Sequence, residues 1–425
     1  MKKIALVTQD LAAEGGVGSM TEFLWHRLAQ SGRYQPEIVA LAIQVSDDSS
    51  PHLTKPRTWM SGVQIRTGEW RGLSYSHVGT VASEVEFQRY RPRNKLTELF
   101  HSFDLCQFVL GSPPLAATAI TAGRPVFLWT ATTTRQDRAS QMMVGSRSRR
   151  AWSSLMVSLS RHYERRALKQ ADVVFALSEY TRRAVESIRG PENVVLAPCG
   201  VDADLFHPEP KGSGDYVVCV ARFSDPRKNV RLLLGAYAAL RQRVAQVPDL
   251  YLIGDPPSVA SRQYLQNLGL ADHVRLFGPK SGEELAVLYR NARFFVLSSN
   301  EEGLAIVILE AMASGLAVVS TDCGGPATAV TEGETGFLTP VGDVEAFSAA
   351  MERLVSDPAL RQRLGEAGRR VVLERFSLAA AGKVFLDKYD EFFESRESRV
   401  ESPESKTSTA SLNAEFRMPT PGSRL

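Results

Sequence analysis

Only four cysteines occur among 425 residues, Cys106, Cys199, Cys219 and Cys323, and none stands in a CxxC or CxxH spacing. This excludes a disulfide framework or a zinc ribbon, and the thiols read as reduced and buried, as in a cytoplasmic protein. Long apolar runs are also absent. No window approaches the roughly 20 residues that a membrane-crossing helix needs. The apolar run of the opening MKKIALVTQDL stops at Gln9, too early for the core of a secretion signal, and reads as a first strand. Charge of one sign is scarce as well: 50 Lys and Arg against 47 Asp and Glu leave a net +3, without the basic excess of a nucleic-acid binder. No His-Glu-x-x-His pattern or cysteine cluster points to a metal.

What is present is an ordinary globular balance, 44% hydrophobic and 23% charged, over a length that supports two domains. Strand-like runs at Lys3–Thr8, Glu37–Ala42, Leu105–Leu110, Val126–Thr130 and Val173–Leu177 alternate with helical patterns at Gly18–Ser31 and Ala151–Gln170. Gly200–Gly214 is rich in Gly, Pro and Asp and reads as a linker. A second alternation follows. Its strands are Tyr216–Val220, Leu250–Gly254, Val274–Phe277, Arg293–Ser299 and Leu316–Thr321. Its helices are Val230–Arg243, Gly282–Asn291, Val344–Val355, Ala359–Arg375 and Ser377–Ser395. The alternation predicts two α/β units, each a parallel sheet covered by helices. From Glu397 the chain is rich in Ser, Glu, Pro and Thr, a composition that cannot bury enough surface to order itself.

The most informative stretch is Glu301–Gly315, EEGLAIVILEAMASG, between two strand-like runs. It reads as strand, polar loop, helix, glycine cap and strand. In an open parallel sheet, ligands sit outside the carboxyl ends of the strands, where helix N-termini favour an anion such as a diphosphate. Glu302 falls in the loop at that mouth and Glu310 in the helix behind it. By spacing alone, Glu302 reads equally well as a helix-start acid and Glu310 as a solvated face.

The segment EEGLAIVILEAMASGLAVVSTDCGGPATAVTEGETGFLTPVGD resembles the signature of the retaining glycosyltransferases of family 4, which have the GT-B fold. Glu302, Gly303, Leu304, Glu310, Ala311, Met312, Gly315, Val318, Val319, Gly324 and Gly325 carry the match. Two positions depart from it: Leu304-Ala305 stands where many members have Phe-Gly, and Thr328 where the GGxxE turn has Glu. The resemblance covers nearly the whole chain to about Ser395. It implies an acceptor-side Rossmann-like domain over 1–199, with 376–396 crossing back onto it. A nucleotide-sugar-binding domain then covers 200–375 and a disordered tail 397–425.

ARFSDPRKN places Arg222 and Lys228 just past a strand, where two cations suit a leaving diphosphate. The family has an Arg and a Lys there, and Arg227 is expected to face solvent. Gly15-Gly16-Val17-Gly18 follows the first strand, and the resemblance implies that Gly16, then Gly15, closes over the donor. LFGPK resembles the loop that holds the nucleobase with backbone groups, here Phe277 and Gly278. Asp202-Ala203-Asp204 mimics a DxD metal motif but falls in CGVDADLFHP, similar to the family's linker, and is read as structural. Where many members have a His beside the reacting sugar, this chain has Thr130, Ala131 and Thr132, followed by Arg135 and Asp137.

The resemblance therefore implies a hexosyl transfer from a UDP- or GDP-sugar to a glycan, lipid-linked or small-molecule acceptor, without a cofactor or metal and without nucleic acid. Arg222, Lys228 and the helix start at Ile306–Val307 would hold the diphosphate, Glu302 the sugar and Glu310 the ribose. A sugar-nucleotide epimerase and a catalytically weak sugar-nucleotide-binding scaffold are the rivals. Basic residues from Arg147 to Lys169 around Trp152 and Leu155 fit either a solvated helix face or a peripheral contact with an anionic membrane.

Overall fold

Uninterrupted apolar runs form strands buried on both faces. Leu105–Leu110, Tyr216–Val220 and Phe294–Leu297 are buried at every residue. The computed structural model describes residues 1–11, 16–138, 147–209 and 214–401. The strands of the first half are β1 (Lys2–Gln9), β2 (Tyr34–Leu41), β3 (Ile65–Trp70), β4 (Leu73–Val78), β5 (Leu105–Leu110), β6 (Val126–Thr130), β7 (Val173–Ala176) and β8 (Val194–Leu196). Those of the second are β9 (Tyr216–Val220), β10 (Asp249–Ile253), β11 (Val274–Phe277), β12 (Phe294–Leu297), β13 (Val318–Thr321) and β14 (Gly336–Thr339).

Two sheets result, in the orders β3-β4-β2-β1-β5-β6-β7-β8 and β11-β10-β9-β12-β13-β14. Each has its own apolar core, built around Val7, Phe108 and Leu128 in the first and Val217, Phe294 and Phe347 in the second. The second sheet is parallel throughout. The first departs from the expected all-parallel form, because β3 pairs antiparallel with β4 at its edge. Beyond the β3–β4 edge hairpin, the order of each sheet reverses between β1 and β5 in the first and between β9 and β12 in the second. Those are the switch points where a crevice opens at the carboxyl edge.

Near the end of the described chain, Val201 N–H donates to the Phe376 carbonyl and Leu378 N–H to the Val201 carbonyl. The chain thus returns to the linker at Ser377. A helix runs from Leu378 to Glu401, so residues 397–401 are helical rather than the start of the tail, whose remainder lies outside the described residues.

Candidate active site

The loop after β9 is shaped by its own short side chains. Asp225 accepts the Arg227 N–H at the start of a tight 3-10 turn, Pro226–Lys228. Asn229, left-handed at φ 43°, then caps the helix Val230–Arg243 by accepting the Leu232 N–H at 3.3 Å. From the neighbouring strand, the Ser298 hydroxyl donates to the Lys228 and Asn229 carbonyls at 3.0 and 3.2 Å. With the loop pinned from both sides, Lys228 Nζ lies 2.6 Å from Glu302 Oε1. The Ser299 hydroxyl donates to the same oxygen, also at 2.6 Å. Lys228 follows β9 and Glu302 follows β12, so this ion pair spans the switch point of the second sheet. Both side chains are largely covered, at 16% and 11% exposure.

The other two cations of the loop divide differently from expectation. Arg222 is the open one, 62% exposed and 3.8 Å from the Asp225 carboxylate. Arg227, expected in solvent, is instead clamped by Asp225, with Nη2 at 2.8 Å and Nε at 3.1 Å from Oδ2. Burial raises the Asp225 pKa, but the Arg227 hydrogen bonds outweigh it and hold the carboxyl below its ordinary value.

A bridge pairs Glu302 with Gly324, and the Glu302 carbonyl accepts the Gly325 N–H at 3.0 Å. Glycine is required at Gly325: a Cβ there would lie 2.6 Å from Gly303 and Leu304 backbone atoms. Thr328, in the same turn, is buried, and its hydroxyl accepts the Glu179 N–H at 3.1 Å. Glu179 opens the helix Glu179–Arg189 on the first-sheet side. An acceptor is what that position supplies, and threonine supplies it where the resembled turn has Glu. The Leu304-Ala305 departure has a physical consequence, since Ala305 sits at φ 65°, ψ 76° and a Cβ is strained there.

Behind Ala305 the helix Ile306–Ala313 begins with no side-chain cap, leaving the Ile306 and Val307 N–H groups at the loop mouth. Glu310 is partly covered, and its carboxylate accepts the buried Tyr289 hydroxyl at 3.0 Å. Burial pushes its pKa up to about 7, against the opposing pull of that hydrogen bond. Phe277 ends β11 half-buried against Tyr251, ring centroids 5.0 Å apart, and Gly278 beyond it is exposed. These residues leave the same carboxyl edge of the second sheet, but Phe277 and Gly278 lie two strands from β9.

The first sheet presents its switch point at β1. Gly16 opens the helix Gly16–Gln30 there, exposed and with nothing within 4 Å of where a Cβ would stand. Gly15 lies outside the described residues. Ala131, just past β6, reaches the second sheet's loop: a Cβ on Gly303 would be 3.1 Å from its carbonyl. The threonines beside it are engaged locally. Thr130 donates to the Thr132 carbonyl at 2.8 Å and Thr132 to Gln136 at 3.2 Å. Burial raises the pKa of Glu301, with Arg227 opposing and the charge of Asp137 reinforcing the rise. Sequence reasoning missed Tyr289, Ser298, Ser299 and the contacts of Thr328. The Ser-Ser that ends RFFVLSS was the available signal for the two serines.

This arrangement can be compared with known proteins. Residues 202–371 match the family model "Glycosyl transferases group 1", and residues 15–205 match "Glycosyltransferase Family 4". The chain belongs to glycosyltransferase family 4. Its similarity to the GDP-mannose-dependent alpha-(1-6)-phosphatidylinositol monomannoside mannosyltransferase of Mycolicibacterium smegmatis is 35% identity over 54% of this chain and 65% of that protein. With the MMP alpha-(1->4)-mannosyltransferase of Mycolicibacterium hassiacum it shares 34% identity over 44% of this chain and 46% of that one. The matched part thus spans less than two thirds of either relative's length. Among solved structures, sucrose-phosphate synthase of Thermosynechococcus elongatus superposes with a TM-score of 0.70 at 23% identity, covering 93% of this chain and all of that one. HepE of Anabaena, solved with UDP and glucose, gives 0.65 at 17%, covering 92% of this chain and 100% of that one. These likenesses establish the GT-B fold for this family 4 chain. Among its described residues no group of three His, Cys, Asp or Glu side chains could hold a metal ion.

Proposed function

We propose that this chain transfers a hexosyl unit from a nucleoside diphosphate sugar to an acceptor hydroxyl, with retained anomeric configuration. The observation that carries the reading is the Lys228–Glu302 pair across the switch-point crevice, beside the uncapped helix start at Ile306–Val307. An incoming diphosphate competes with Glu302 for Lys228. Arg222, exposed nearby, adds a second cation, and the two N–H groups complete an anion cradle. Glu302, released from Lys228, turns to the donor hydroxyls or to the positive charge that develops on the sugar. Glu310 takes the ribose, Phe277 and Gly278 the base, and the turn at Gly15 and Gly16 closes over the donor. As the bond from the anomeric carbon to the diphosphate oxygen breaks, the acceptor oxygen bonds to that carbon on the same face. The acceptor's proton passes to the departing phosphate oxygen.

A relative's name makes GDP-mannose the first donor to test, and a HepE structure holding UDP-glucose makes that the second. Glycan and lipid-linked acceptors on the cytoplasmic side of an envelope pathway complete the proposal, and the phosphatidylinositol monomannoside in one relative's name supports the lipid-linked kind. Trp152 and Leu155 stand 63% and 51% exposed on the helix Arg147–Gln170, with Arg161, Arg165 and Lys169 exposed beyond them. That face fits a peripheral contact with anionic lipid, which sedimentation with anionic vesicles at low and high salt tests, screening being the discriminating variable. The rival scaffold reading draws on the missing His beside Ala131. Purified protein given each donor without acceptor decides between them: release of nucleoside diphosphate supports transfer chemistry, and tight donor binding with no release, even with acceptors added, sinks it.

A further inference from the structure

Two loops at the carboxyl edge of the first sheet, one after β2 and one after β4, hold an exposed apolar cluster outside the site described above. Ten large apolar side chains are half or more exposed among the described residues, and five of them are here: Val45, Leu53, Trp59, Met60 and Val81. Surface apolar residues are normally scattered, and a group like this marks a contact surface. The loops are bonded to each other, Ala82 N–H donating to the Pro51 carbonyl at 2.9 Å and the Ser83 hydroxyl to the Val45 carbonyl at 3.1 Å. Their tip, residues 53–60, folds back on itself. His52 N–H donates to the Thr58 hydroxyl at 2.9 Å, and Trp59 Nε1 to the His52 carbonyl at 2.6 Å. The Glu84 carboxylate accepts the Leu53 and Thr54 N–H groups. Those of Lys55, Thr58 and Trp59 reach the His52, Lys55 and Pro56 carbonyls, and Pro56 has no N–H to place.

We infer that this tip inserts into the headgroup region of an anionic lipid bilayer. A segment that leaves water must place its backbone donors within the protein, and the tip does so for the groups just named. The Trp59 N–H is spent on His52, so what that side chain exposes is apolar ring, and Met60 beside it is 95% exposed. Charge selects the kind of surface. Residues 49–68 carry Lys55, Arg57 and Arg66 and no acid, and Lys55 and Arg57 are exposed on the tip itself. Of the flanking acids, Asp47 is tied to His77 at 2.7 Å and Glu84 lies 3.4 Å from His52. Apolar side chains rimmed by cations, with their hydrogen bonds closed inside the loop, complement anionic lipid. The Trp152 and Leu155 face leaves from the same edge. Farther along its helix, Ser160 donates to Glu86 at 3.0 Å and Glu164 accepts the Thr134 N–H at 2.7 Å, both from loops at that edge. The lipid contact stands on the tip's own residues. That it presents the first sheet's mouth to a lipid-linked acceptor rests on the proposed transfer.

Sedimentation of the full-length protein with vesicles of phosphatidylcholine and phosphatidylglycerol in equal parts tests it. The double variant Leu53→Ser, Met60→Ser is expected to weaken binding about tenfold or more. Lys55→Glu with Arg57→Glu should weaken it about tenfold at low salt and far less at about 1 M, where charge is screened. Lipid brominated along its acyl chains should quench tryptophan emission, and Trp59→Phe should remove part of that quenching while binding is kept. These side chains are exposed, so unchanged melting temperatures report that the variants are folded. The proposal is overturned if wild-type protein ignores the vesicles at low salt, or if Leu53→Ser with Met60→Ser binds them as wild type does. It is also overturned if that variant instead dissolves a dimer seen by light scattering, which would make the patch a protein contact. Vesicle binding without any donor turnover would leave the tip standing and defeat the transfer reading; turnover in solution without vesicle binding defeats the tip alone.

Discussion

The two sheets open toward ligands at their carboxyl edges in different ways. At the second, the loops after β9 and β12 bring charged side chains together: Lys228 meets Glu302 at 2.6 Å, and Arg227 meets Asp225 at 2.8 Å. At the first, the loops after β1 and β6 offer glycine and threonine. There the Thr130 and Thr132 hydroxyls are taken by neighbouring groups of their own loop. A charged mouth suits an ionic ligand whose arrival exchanges one ion pair for another. A mouth of backbone and bound hydroxyls fixes shape and leaves recognition to whatever group the ligand itself carries. Under the proposed transfer, the donor's diphosphate belongs to the second sheet and the acceptor to the first.

The largest effect should come from breaking the charged mouth. Lys228→Ala and Glu302→Gln are each expected to lower transfer by about a hundredfold or more. Lys228→Ala should also cost about 2 kcal/mol of stability, because it leaves the covered Glu302 carboxylate with the Ser299 hydroxyl as its remaining side-chain partner. Arg222→Ala should slow transfer about tenfold yet leave the melting temperature unchanged, since that side chain is 62% exposed. Equal melting losses in the two cation variants would erase the distinction between a tied and an open cation.

A second effect follows from Glu310, whose pKa is raised from 4.5 to about 7. A carboxyl that is harder to ionise in the fold makes the unliganded protein lose stability as pH climbs from its unfolded value through about 7. Ribose hydroxyls would favour the ionised form, so donor affinity should rise several-fold between about pH 6 and 8. Titration calorimetry with a nucleotide sugar checks this, and Glu310→Gln should flatten the profile. A flat wild-type profile would remove Glu310 from the donor contacts.

A smaller effect tests the link between the two mouths. Thr328→Val removes the acceptor for the Glu179 N–H and should cost about 1 kcal/mol, with a few-fold rise in KM and little change in nucleotide affinity. Thr328→Glu, which restores an acceptor, should recover most of it. If the valine variant keeps wild-type KM, the turn needs no support from the helix Glu179–Arg189. The smallest effect belongs to Ala305→Gly. Relief of a Cβ at φ 65° should outweigh the extra freedom of the unfolded chain by about 0.5–1 kcal/mol, read from the denaturation midpoint.

Much of this was legible in the residues. Leu105–Leu110, Val126–Thr130, Tyr216–Val220 and Val274–Phe277 are strands at the expected bounds, and Val230–Arg243 and Gly282–Asn291 are helices at theirs. Buried parallel strands write themselves as continuous apolar runs, and amphipathic helices carry their period. The edge hairpin β3–β4 was missed because IRTGEW and LSYSHV hold few apolar residues, the first mostly exposed and the second mostly half-buried. The helix Glu179–Arg189 escaped notice although Ser178, its cap, directly follows the expected strand Val173–Leu177.

The sequence by itself determined the alternation of elements, the glycine that the turn at Gly325 requires, and the identities of the charged residues after each strand. These are local properties, set by period, sterics and the chemistry of a few neighbouring positions. Only the tertiary structure decided that Lys228 would meet Glu302, that Arg227 would be tied while Arg222 stayed open, and that Thr328 would accept from Glu179. Lys228 and Glu302 are 74 positions apart, and they come together because strand order sets β9 beside β12. Strand order follows from how whole faces bury against one another, a sum over many residues that no single motif records.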